Sequence, residues 1–112
     1  MEKVKCKKIR YSELQALYVI ISQYTENINI KTSDFHHITV ASVLYDLATK
    51  RLKKILEGPI IKNYSFSIQV YQAAALYIVL QNQHYKTDDF LNHVVRKFSK
   101  IIQEDFFNRI TV

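Results

Sequence analysis

Turn-forming residues are almost missing from this 112-residue chain, which has one Gly and one Pro, the adjacent Gly58 and Pro59. A sandwich, a barrel or a loop-rich fold of this length needs many more of them, so helices joined by short connections are expected. Trp is absent, and Cys6 stands alone in a polar segment, which excludes an internal disulfide and a cysteine-based zinc motif. The longest unbroken apolar run, Ala73 to Leu80, falls far short of the roughly 18 residues that a membrane span needs. The first ten residues carry charge but no apolar stretch of the secretory-signal kind. A cytoplasmic protein with no membrane partner is the resulting expectation. The chain also lacks a glycine-rich phosphate loop, a Ser-His-Asp order in a supporting context and a cysteine beside a histidine. Neither enzymatic activity nor a cofactor is therefore expected.

Apolar residues, by contrast, make up 48% of the chain, enough for a single core within one domain over 1–112. They also repeat. Ala16-Leu17-Tyr18-Val19-Ile20-Ile21 returns as Ala75-Leu76-Tyr77-Ile78-Val79-Leu80, and Lys31-Thr32-Ser33-Asp34-Phe35 returns as Lys86-Thr87-Asp88-Asp89-Phe90. Each pair of motifs sits on apolar residues at helical spacing, offset by 59 positions for the first helix of each half and by 54 for the second. Leu44 and Phe98 fall at equivalent core layers under that offset. The pattern predicts an all-α fold: an antiparallel up-down-up-down four-helix bundle made of two repeated αα-hairpins, about 10–57 and about 65–110. Helices are expected near 10–29, 34–57, 65–84 and 88–110, preceded by a basic arm over 1–9. Ser33 or Asp34 and Thr87 or Asp88 are ready N-caps, and Gly58 is expected to end the second helix in a left-handed conformation.

Three groups of residues carry functional expectations. In an up-down bundle Lys3, Lys5, Lys7, Lys8, Arg10, Lys50, Arg51, Lys53, Lys54, Lys62, Lys100 and Arg109 share one end with Glu2, Glu13, Glu57, Glu104 and Asp105. Twelve cations against five carboxylates leave an excess of seven, where the whole chain carries +6. Such an end suits a polyanion held through its phosphates, although cations at a helix C-terminus also simply favour the dipole. Lys5, Lys7, Lys8, Arg10, Lys50, Lys53, Lys54 and Lys62 are the candidate contacts. Arg51 and Asp105, at equivalent core-line positions, are expected to pair across the bundle.

His37 and His84 fall on inward lines near His36, His93, Asp34, Asp88 and Asp89. They are weak metal candidates, because no diagnostic ligand pair occurs, and no metal is expected. Finally, Val19, Ile20, Ile78 and Val79 project away from a core centred on Tyr18 and Tyr77, unless the bundle is deeper than two hairpins imply. The leading expectation is a non-enzymatic binding or regulatory module that self-associates, or binds a protein partner, through its first and third helices. The alternative is a basic accessory protein that contacts nucleic acid through its Lys-rich end.

Overall fold

The computed structural model describes residues 3–29, 31, 33–83, 85 and 87–111, and of Thr111 the backbone alone. Strand β1 (Lys3–Ile9) leads into helix α1 (Tyr11–Glu26). Helix α2 starts as Phe35–Leu47, passes through a π-helical stretch, Ala48–Leu52, and finishes as Lys53–Glu57. Strand β2 (Tyr64–Gln69) runs directly into α3 (Val70–Gln81), and α4 (Asp89–Thr111) follows.

The expectation of an all-α bundle is corrected here. Among the described residues there are four helices, but β1 and β2 pair antiparallel in a two-stranded sheet. Val4, Cys6 and Ile9 are buried and alternate with exposed lysines, while Tyr64, Phe66 and Ile68 are buried between Ser65, Ser67 and Gln69. Period two with one apolar face is the pattern of a half-buried strand. The segments expected to be a basic arm and the start of a helix are therefore the two strands, and α3 begins at Val70 rather than near 65.

The repeating unit is accordingly strand–helix–helix. Val4 lies opposite Ile68, Cys6 opposite Phe66 and Ile9 opposite Tyr64. Exchanging the two halves maps this pairing onto itself, the register that a pseudo-twofold through the Cys6–Phe66 pair requires. One irregularity breaks it. Between Cys6 and Ile9 the register shifts, so that Lys7 and Lys8 together oppose Ser65, and Lys8 takes a left-handed φ of 57°. Two residues against one is a bulge, which bends the strand and turns side chains at that point.

The inner face of the sheet joins a single core with all four helices. Helices α1 and α3 each pack against both α2 and α4. Equivalent positions are buried in pairs: Leu17 with Leu76, Ile21 with Leu80, and Leu44 with Phe98. Covered by two helices, α1 and α3 bury a wider arc than a simple hairpin predicts, and Tyr18 and Tyr77 sit only half-buried at its margin.

Local signals decide the helix ends. Asp34 Oδ1 accepts from the His37 backbone N–H at 2.9 Å, and Asp88 Oδ1 accepts from that of Leu91 at 3.0 Å, so Asp rather than Ser or Thr caps both second helices. The Arg10 N–H donates to Glu13 Oε1 (2.8 Å) and the Gln69 N–H to Gln72 Oε1 (2.9 Å), the same half of a capping box in each repeat. Gly58 is not left-handed as expected but extended, with φ −80° and ψ −170°. Proline clashes with a helical residue before it, and Pro59 alone accounts for the stop. Among the described residues no helix is long and apolar enough to cross a membrane.

Candidate polyanion-binding face

Strand alternation places Lys3, Lys5 and Lys7 on the solvent side of the sheet, above a buried row of Val4, Cys6 and Ile9. Their neighbours across the pair are uncharged: Ser67 opposite Lys5 and Gln69 opposite Lys3. Lys5 and Lys7 line a shallow depression with Ser65 and Ser67. At the other end of the row, Lys3 lines a pocket of about 270 Å³ with Lys50 and Arg51 from the π-helical stretch of α2. Ser67, Gln69, Tyr71 and Gln72, together with Asp46, complete that pocket. A π-helical turn widens the helix locally and re-aims its side chains, and it often marks functional positions. Here it carries the two cations that reach the sheet.

Two described carboxylates near this face, Asp46 and Asp105, are already engaged. Asp46 stands 3.6 Å from Lys50 Nζ, with both side chains exposed. Asp105 accepts from Arg109 Nε at 2.6 Å within α4, and Arg109 Nη2 also donates to the Lys3 carbonyl at 3.0 Å. The expected Arg51–Asp105 pair is therefore corrected, because Asp105 is satisfied one turn along its own helix while Arg51 turns to the pocket beside Lys3. Lysines on the open face of a small sheet also discourage edge-to-edge association, so charge alone does not mark a binding site. The arrival of Lys50 and Arg51 from a separate element is what distinguishes this face.

The remaining candidate cations are scattered. Arg10 is drawn to Glu13, 3.5 Å from its carboxylate. The Lys8 carbonyl accepts from Lys97 Nζ at 2.8 Å, with its own side chain exposed at the bulge. Lys53, Lys54 and Lys62 are exposed but line neither depression.

A second polar cluster went unseen in the sequence. Glu13 is fully buried, and its carboxylate accepts from Lys97 Nζ at 2.7 Å and stands 2.9 Å from His93 Nε2, besides capping Arg10. Burial alone would raise its pKa. Hydrogen bonds from Lys97, the Arg10 amide and His93, with the Lys97 charge, outweigh that and hold it near 2. So low a pKa makes Glu13 a poor general base and a fixed structural anion. It ties α1 to α4 and, through Lys97, to the bulge of β1.

The described histidines do not gather at one site as expected. His37 Nδ1 lies 2.7 Å from Asp34 Oδ1 at the exposed start of α2, and its ring meets that of His36 edge-on. His93 sits apart, beside Glu13. His84 lies outside the described residues. Among those that are described, no three His, Cys, Asp or Glu side chains are placed to share a metal ion.

The expected apolar surface on α1 and α3 is half corrected. Ile20 and Val79 are 1% and 3% exposed and belong to the core, because both neighbouring helices cover them. Val19 and Ile78, at equivalent positions, stay 43% and 39% exposed. A lysine at Ile20 or Val79 would bury an unpaired charge and unfold the chain rather than dissociate an oligomer. No protein-family model matches this chain, and comparison with curated proteins and with solved structures gives no significant match.

Proposed function

We propose that this chain is a non-enzymatic binding module that holds the phosphate backbone of a nucleic acid on the outer face of its sheet. One observation carries the reading: Lys3, Lys5 and Lys7 form a row on β1 that runs into Lys50 and Arg51 of α2. Cations from two elements that converge beside neutral Ser and Gln side chains make a field that is positive on balance, with Asp46, paired to Lys50, as the carboxylate among the pocket's described lining residues. The net charge of +6 supports the same partner class. A buried, unpaired Cys6 suits the reducing cytoplasm, where such a partner is found. Contacts of this kind position a backbone without reading bases, so affinity follows salt far more than sequence.

Titration of labelled oligonucleotides between low and physiological salt tests the proposal. Binding is expected to weaken steeply with salt. A Lys50→Gln, Arg51→Gln variant should flatten the logarithmic slope by about 1.5 to 2, because each phosphate neutralised by a cation accounts for just under one. Absence of binding tighter than about 10⁻⁴ M at low salt refutes it, since that is weaker than ordinary non-specific association.

A second reading, self-association through α1 and α3, rests on Val19 and Ile78, equivalent apolar side chains that stay two-fifths exposed. A Val19→Lys, Ile78→Lys variant in sedimentation runs tests it. A wild type that is already monomeric at high concentration removes this reading.

A further inference from the structure

We infer that the face prefers single-stranded over duplex nucleic acid, with one base seated on Tyr71 in the pocket that ends the lysine row; this rests on the phosphate-binding reading above. Tyr71 lies in the first turn of α3, directly after β2, and is 60% exposed although it lines a pocket. An aromatic ring left open beside three cations has the makings of a stacking platform, because every base offers a π-face while the cations hold the adjoining phosphates. Gln69 and Gln72 stand on the same wall. The Gln72 carbonyl oxygen is committed to the Gln69 backbone N–H, which leaves its amide group to face a base edge. Asp46, the carboxylate of the pocket, is held by Lys50 and suits an exocyclic amine better than a phosphate.

The shape of the charge argues the same way. Lys3, Lys5 and Lys7 lie on one strand, so their row is a single line roughly 13 Å long at about 3.3 Å per residue. A line of cations that leads into one pocket tracks one backbone. A paired duplex keeps its bases stacked inside the helix, where Tyr71 does not reach them.

The test compares a labelled oligothymidylate of about 12 nucleotides with a duplex of the same length, at one low salt concentration. Tyr71→Ala should weaken single-strand binding by roughly five- to a hundredfold and leave duplex binding within about twofold. Tyr71→Phe, which keeps the ring, should restore the single-strand affinity. Lys50→Gln with Arg51→Gln should weaken both ligands. Tyr71→Trp, with no other Trp in the chain, should lose fluorescence when the single strand binds, as a stacked indole does. The inference is overturned if Tyr71→Ala leaves single-strand binding unchanged, or weakens both ligands equally, while the Lys50–Arg51 variant still lowers affinity; the phosphate-binding reading then survives. If neither ligand binds the wild type, both fall together.

Discussion

Replacing Glu13 by Gln removes one negative charge from the core with almost no change in shape. The two halves of the chain supply the control, because Gln72 already stands at the equivalent position and receives the Gln69 N–H as Glu13 receives that of Arg10. The cap is therefore kept in the variant. What disappears is the ionic part: the 2.7 Å pairing with Lys97 and the 2.9 Å pairing with His93. In the unfolded chain Glu13 titrates near 4.5, and in the folded protein near 2. A folded pKa below the unfolded one stabilises the protein when the group is ionised in both states. That stability is complete above about pH 4.5 and disappears as the pH falls through 2. The difference between the two pKa values corresponds to about 3–4 kcal/mol, at about 1.4 kcal/mol per pH unit. Lys97 keeps partial access to water, so relaxation of its ammonium towards solvent places the expected loss at about 2–3 kcal/mol at pH 7. Urea melts at pH 7 and at steps down to pH 2 measure it, with the slope m checked for constancy. Wild type should lose stability relative to the variant over that interval. Two curves that run parallel from pH 5 to pH 2 would refute the buried-anion account.

Other expectations concern packing and backbone. Phe98, 1% exposed, should cost about 3–5 kcal/mol when replaced by Ala, through lost burial and a residual cavity, read from the shift in a denaturant melt. The Cys6 thiol is pushed up to about 12 by burial, with Asp105 adding to it, and should therefore resist alkylation at pH 8 until the protein unfolds. Rapid labelling of the folded chain would mean that β1 does not stay docked. Gly58→Ala should be neutral or stabilising by about 0.4–1 kcal/mol, since the added methyl meets the Ile55 carbonyl at 3.4 Å and the Lys54 carbonyl at 3.7 Å, both ordinary contacts, and the backbone there is extended. A clear destabilisation in a thermal melt would contradict that conformation.

The helical stretches, the Asp caps of α2 and α4 and the equivalence of the two halves were legible in the residues because the interactions behind them are local. A helical hydrogen bond joins residues four apart, and an Asp at the N-cap serves an amide three residues on, so Asp34 and Asp88 act within their own stretch of chain. The paired burial of Leu44 and Phe98 follows from the same short-range period. Strands have no such local closure. Val4 meets Ile68 and Ile9 meets Tyr64 only after the chain has gone out through two helices and returned, so Lys3–Ile9 reads as a solvated basic arm until its partner is in place. The lysine row of the candidate site inherits that dependence, because a one-sided strand gives its charges a common direction that a free arm lacks. Glu13 is similar: its neighbours Arg10 and Leu14 are local, whereas Lys97 and His93 arrive from about 80 positions away. Which apolar side chains face outward was also decided in three dimensions. Ile20 and Val79 differ little in type from Val19 and Ile78, and only the helices packed on α1 and α3 bury one pair and leave the other half open. Composition and period determined that this chain would form helices and that α2 and α4 would begin close to Asp34 and Asp88; the long-range pairings decided that it would also form a sheet, that α3 would begin only at Val70, and therefore which way its lysines point.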